Sequence, residues 1–130
     1  MKRYAKDHEW ICIDAEDVAS VGISQYAVAS LGEITSIKLP EVDSVYEKGT
    51  SFAIVESTEA SSEIFMPASG KIVAVNEQLE DFPQLLNSDA ENIGWIIKII
   101  PTNPCDINEL MSAKDYQELV EKKSEEIEEE

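Results

Sequence analysis

Basic residues are scarce in this chain: ten Lys and Arg stand against 27 Asp and Glu in 130 residues, for a formal net charge of −17. A surface this acidic lacks the cations whose binding to phosphates would release counterions, so nucleic acid and anionic membranes are excluded as natural partners. The charge either only keeps a small protein soluble or steers it toward basic patches on larger proteins. Cysteine is limited to Cys12 and Cys105, far apart, with Cys12 inside an apolar run; this usage points to reduced thiols, not a disulfide framework. One histidine, His8, and no Cys-x-x-Cys or His-x-x-x-His spacing leave no ordinary metal site. No apolar run approaches the roughly 18 residues that span a bilayer. The N-terminus shows neither an apolar signal core nor an Arg/Ser-rich leader, so the expected location is the cytoplasm, or the mitochondrial matrix if a leader has been removed. Ser/His/Asp, Cys/His and Gly-rich phosphate-binding patterns are also missing, which argues against an active site of the chain's own.

What is present is a β-meander written in short words. Phe52 to Val55 and Ile72 to Val75 are β-branched or aromatic runs of strand length, punctuated by small and polar residues at 57–62 and by Pro67 to Gly70. Two strands are expected to meet at a tip near Thr58 to Ala60, where a side chain would project from a rigid support. Earlier in the chain, Glu9 to Ile13 and Val18 to Ile23 read as a hairpin. Ser24 is an N-cap for a two-turn helix that Gly32 stops. Glu33 to Leu39 reads as a strand with Thr35, Ile37 and Leu39 on its apolar face. Asn76 to Asn87 reads as a loop with one or two helical turns. Gly94 to Ile100 reads as the last strand, buried on both faces and stopped by Pro101. From Asp106 the composition turns to helix formers, with Ile107, Leu110, Met111, Tyr116, Leu119 and Val120 on one side. A faint echo between 45–55 and 66–75, each a Gly-centred turn feeding an apolar strand, suggests two similar halves with the tip between them. The sum is a mainly β protein, a flattened β-barrel or sandwich with a short internal helix and C-terminal helices. Residues 1–123 form one domain, large enough for a core of its own, and 124–130, with five glutamates, form a fraying acidic tail.

The ordered motifs His8-Glu9-Trp10, Val21 to Ala27, Leu31-Gly32-Glu33-Ile34, Leu39 to Val42, Val55-Glu56-Ser57, Pro67 to Gly70, Val75-Asn76 and Gly94 to Ile99 resemble the H protein of the glycine cleavage system over about residues 4–120. The resemblance implies a lipoyl-type hammerhead fold and a monomeric carrier, not an enzyme. Such a carrier takes an aminomethyl group from glycine decarboxylase, presents it to an aminomethyltransferase and is reoxidised by dihydrolipoamide dehydrogenase. In that family a lipoate ligase attaches lipoate to a lysine at the hairpin tip, within Glu-Ser-x-Lys-Ala. Here the segment reads Glu56-Ser57-Thr58-Glu59-Ala60, so Glu59 stands at the lysine position. A carboxylate has no amine with which to form the amide, and the nearest lysines, Lys48 and Lys71, fall in other predicted turns. Lipoate is therefore expected to be absent.

By the same resemblance Glu9 and Glu63 match acidic positions lining the cleft where a loaded arm rests, and their charge suits a protonated amine. The plainer alternative makes both ordinary solvent-facing strand residues. Trp10 and Trp95 read as core anchors, and His8 as a hydrogen-bonded structural histidine, not a proton shuttle. Two functions stay open: an H protein whose attachment lysine has been replaced, or a non-lipoylated relative retained as an interaction or regulatory module.

Overall fold

The computed structural model describes residues 2–5, 8–13, 17–58 and 60–128, with positions 104 and 122–128 described as backbone alone. Among the described residues, ten strands and five helices follow in the order β1 (Lys2–Tyr4), β2 (Glu9–Ile13), β3 (Ala19–Ile23), α1 (Gln25–Leu31), β4 (Ile34–Lys38), β5 (Val45–Tyr46), β6 (Ser51–Ser57), β7 (Ser61–Phe65), β8 (Gly70–Val75), α2 (Gln78–Asp81), α3 (Leu85–Asp89), β9 (Ile97–Pro101), α4 (Pro104–Asn108), β10 (Met111–Ser112) and α5 (Ala113–Glu128). They build a seven-stranded sheet ordered β10-β1-β2-β3-β9-β8-β5 and a three-stranded sheet ordered β4-β6-β7, with every pairing antiparallel. The mainly β sandwich expected from the sequence is what forms.

Strand alternation sends Ile11, Val21, Ile97, Ile99 and Ile72 of the large sheet to one side, where they meet Ile34, Ile37, Val55 and Ile64 of the small sheet in a single buried cluster. Val28 of α1, Leu79 of α2 and Leu86 of α3 close its end. Each such side chain contributes roughly 1.5–3 kcal/mol by leaving water, which holds helices of four to seven residues that would not persist alone. On the opposite face of the large sheet, Trp10 lies over Gly22 and joins Tyr4 and Tyr116 in a second buried cluster, edged by the half-buried Cys12, Trp95, Met111 and Val120. Helix α5 thus covers part of the sheet's outer face.

Local signals hold where the chemistry is local. Ser24 caps α1 by accepting from the Ala27 N–H (3.2 Å), and Gly32 ends it at φ 90°. Elsewhere tertiary pairing changes the reading. A β-bulge at Thr35 turns that residue outward, so the apolar face of β4 is Ile34 and Ile37. Trp95 and Ile96 precede β9 instead of belonging to it, and Ile100 is 47% exposed, so the strand is buried on one face. It is also not the last, because Met111, expected on a helix face, pairs in β10 with Tyr4 of β1. The polar Lys2–Tyr4 segment is a strand because β2 and β10 supply its backbone partners. Lys71 lies in β8 opposite Val45, not in a turn.

Candidate functional site

Strands β6 and β7 meet where the sequence places residues 58–60. Glu56 pairs with Ser61, and Ser57 closes the bend: its N–H donates to the Ala60 carbonyl (2.8 Å), its hydroxyl donates to the same oxygen (3.0 Å), and its Oγ accepts from the Ala60 N–H (3.1 Å). The Thr58 N–H donates to the Glu33 carbonyl (3.1 Å), which ties the bend to the start of β4. Glu59 itself lies outside the described residues; its neighbours on both sides belong to this tight connection. The two lysines nearest in sequence are engaged elsewhere, Lys48 Nζ with Glu109 (3.0 Å) and Lys71 Nζ with Asp43 (3.6 Å). Among the described residues of the bend, Ser57, Thr58 and Ala60, none carries an amine.

Along β7 from the bend opens a cleft of about 270 Å³, walled by Ser62, Glu63 and Ile64 on one side, His8, Glu9 and Ile23 on another, and Tyr26, Ala27, Ser30 and Leu31 of α1. Two carboxylates that lie 54 residues apart in sequence thus share one cavity. They differ in setting. Glu9 falls on the core-facing side of β2 at the end of the sheet and is only 3% exposed, so it is not an ordinary solvent-facing residue; Glu63 faces outward from β7 and is exposed. Tyr26 adds an aromatic wall, its ring tilted against His8 with centroids 5.0 Å apart.

His8 holds a left-handed backbone (φ 74°) stabilised by its N–H to the Ala5 carbonyl (3.0 Å) and by the Ser24 N–H to its own carbonyl (2.8 Å). Strained non-glycine backbone of this kind persists where its surroundings over-determine it, often beside a functional cleft. Its Nδ1 lies 2.7 Å from the Tyr116 hydroxyl, which in turn is 2.6 Å from Ser24 Oγ. The Tyr116 ring stacks on Tyr4 (centroids 4.4 Å apart, planes 6° off parallel), and the Tyr4 hydroxyl donates to Glu91 Oε1. Glu91 Oε2 accepts from the Gln25 N–H (3.0 Å), the first residue of α1. Burial pushes the Tyr116 hydroxyl up to about 12, helped by the nearby Glu91, Tyr26 and Glu9 and opposed by its hydrogen bond with Ser24. Burial and then Glu91 push Tyr4 up further.

His8 is hydrogen-bonded, as its sequence context suggested, and Trp10 is a buried anchor whose Nε1 donates to the carbonyls of Ile23 (3.0 Å) and Ala90 (3.1 Å). Trp95 is half-buried, with Lys98 Nζ 4.9 Å from its ring centroid. Tyr116 and Tyr26 carry no sequence signal as site residues, because each looks like one more apolar position on an amphipathic helix.

The glycine cleavage H-protein family model matches residues 2–123. The glycine cleavage system H protein of Alkaliphilus oremlandii is 45% identical over 121 residues, covering 93% of this chain and 94% of that protein, and that of Opitutus terrae is 42% identical over 118 residues, covering 91% and 93%. The crystal structure of a glycine cleavage system H protein from Mycobacterium marinum superposes with a TM-score of 0.80 at 36% identity, over 88% of this chain and 92% of that one. Fold and extent agree, and the chain belongs to the glycine cleavage H-protein family.

Proposed function

We propose that this chain works in a glycine cleavage system as an H-protein scaffold that docks the system's enzymes but carries no lipoate on its hairpin. The single observation behind this reading is Glu59, at the position that matches the family's lipoyl lysine, in a bend whose flanks Glu56, Ser57 and Ala60 still match the recognition pattern. A lipoyl group supplies the system with two linked thiols that are alkylated and reoxidised in turn; a carboxylate cannot anchor it. What the scaffold keeps is the hairpin, the cleft and an acidic surface. The partners are those of the family: glycine decarboxylase, aminomethyltransferase, dihydrolipoamide dehydrogenase and, at the hairpin, a lipoate ligase. The chain is a monomeric cytoplasmic interaction module, not a catalyst. In the cleft, Glu9 and Glu63 supply negative charge suited to a protonated amine presented by such a partner.

The test is the intact mass of the protein purified from its source, which is expected to equal the mass of the unmodified chain; a lipoyl or octanoyl adduct overturns the reading. The companion variant is E59K co-expressed with a lipoate ligase. It is expected to gain the adduct, because one residue separates this hairpin from the modifiable pattern, and no adduct would mean that more than the attachment atom has been lost. Docking to aminomethyltransferase or dihydrolipoamide dehydrogenase is expected to weaken steeply with added salt if the net charge of −17 steers it.

A further inference from the structure

The hydroxyl of Tyr116 stands where three elements meet: α5, which carries it; the lead into β2, through His8; and the cap of α1, through Ser24. The hydrogens there can be assigned by counting. Ser24 is fully buried, and its Oγ already accepts from the Ala27 N–H. The Ser24 hydroxyl proton therefore needs an acceptor inside the protein, and among the described residues the Tyr116 oxygen, 2.6 Å away, is the one its hydrogen bonds offer. Tyr116 is a protonated phenol at neutral pH, so having accepted from Ser24 it has one proton to give, and His8 Nδ1 lies 2.7 Å away. The bonds run in one direction, Ala27 N–H to Ser24 O–H to Tyr116 O–H to His8 Nδ1. An Nδ1 that accepts is unprotonated, and the neutral ring then carries its proton on Nε2.

We propose that Tyr116 is a positioning residue for the cleft, whose hydroxyl holds His8 as the neutral Nε2–H tautomer and fastens the β2 and α1 walls to helix α5. The Tyr4 stack and the Glu91 carboxylate brace the same corner, since Glu91 accepts from the first N–H of α1 while bonding the Tyr4 hydroxyl. Protonating His8 at Nδ1 would turn that bond round: the Tyr116 oxygen would accept from His8, and the phenol proton would lose the ring nitrogen as its acceptor. The consequence for the cleft is positional, because His8 and Glu9 wall it on one side and α1 on another, and Tyr116 ties His8 to the cap of that helix.

Because His8 is the chain's single histidine, long-range ¹H–¹⁵N correlation spectra of its ring need no assignment. The full-length protein at neutral pH is expected to show the Nε2–H tautomer alone. Tyr116→Phe keeps the ring that stacks on Tyr4 and removes only the hydroxyl; it is expected to show a mixture of tautomers, with backbone amide shifts at Tyr26, Ser30, Ser62 and Glu63 on the cleft walls. Ser24→Thr, which retains a capping hydroxyl, is expected to keep the parent pattern. An Nδ1–H tautomer or an imidazolium in the unmodified protein at pH 7, or a Tyr116→Phe ring spectrum identical to the parent, overturns the proposal. Should Tyr116→Phe fail to fold, the unmodified protein's spectrum decides by itself. None of these readouts contains a ligand, so a cleft that proves not to bind amines would leave them unchanged.

Discussion

Gly22 shows how one missing atom can shape a face of the sheet. A Cβ there would come within 2.9 Å of the Trp10 indole, which is pinned by two hydrogen bonds and cannot swing aside. Gly22→Ala is expected to cost about 1–3 kcal/mol through overpacking, read as a lower urea midpoint at unchanged m-value. At the hairpin the deciding residue is Glu59, and E59K tests it without touching the core. Single residues were legible from the sequence where their chemistry is local: Ser24 as a cap and Gly32 as a stop. Glu9 was not. Whether a carboxylate at the end of a strand faces water or lines a cavity depends on what the small sheet and α1 place opposite it, and nothing near residue 9 encodes that.

Helix α3 is the joint between the hairpin's support and the rest of the molecule. Asn87 accepts from the Ile34 N–H and donates to the Gly32 carbonyl, both at 2.9 Å, bridging the end of α1 to the start of β4. Thr58 hangs from the same stretch through Glu33. Asn87→Ala leaves two backbone groups to find other partners, at roughly 1–3 kcal/mol for each that stays unsatisfied. The expected signature is faster amide exchange at Ile34 and Thr58, with Val21 and Ile99 on the far sheet little changed. Elements written as alternating or apolar runs between turn residues, such as β2, β3, β6 and β8, were readable in advance. Those held by pairing alone were not: β1 is polar, β10 is two residues long, and both exist because the ends of the chain meet at one edge of the sheet.

For the whole molecule, charge sets the response to solution conditions. At −17 the native state repels itself, so moderate salt is expected to raise the thermal midpoint, and a fall in its place would mean that specific ion pairs outweigh the net field. The buried tyrosines act at the other end of the pH scale. Their folded values lie above the ordinary 10, so the native state holds these protons more tightly than the unfolded chain. That stabilisation is complete below pH 10 and is lost as pH rises through about 12 for Tyr116. Alkaline unfolding followed by tyrosine absorbance is expected to begin above pH 10, and Tyr116→Phe to remove part of the pH dependence. The sequence by itself determined the fold class and the strands of the hairpin, because alternation, turn residues and short motifs are local properties of the chain. Only the tertiary structure decided that Glu9 and Glu63 share a cleft and that Tyr116 joins His8 and Ser24 across 108 and 92 residues. Those contacts depend on how two sheets and a C-terminal helix pack, and no pattern along the chain records that.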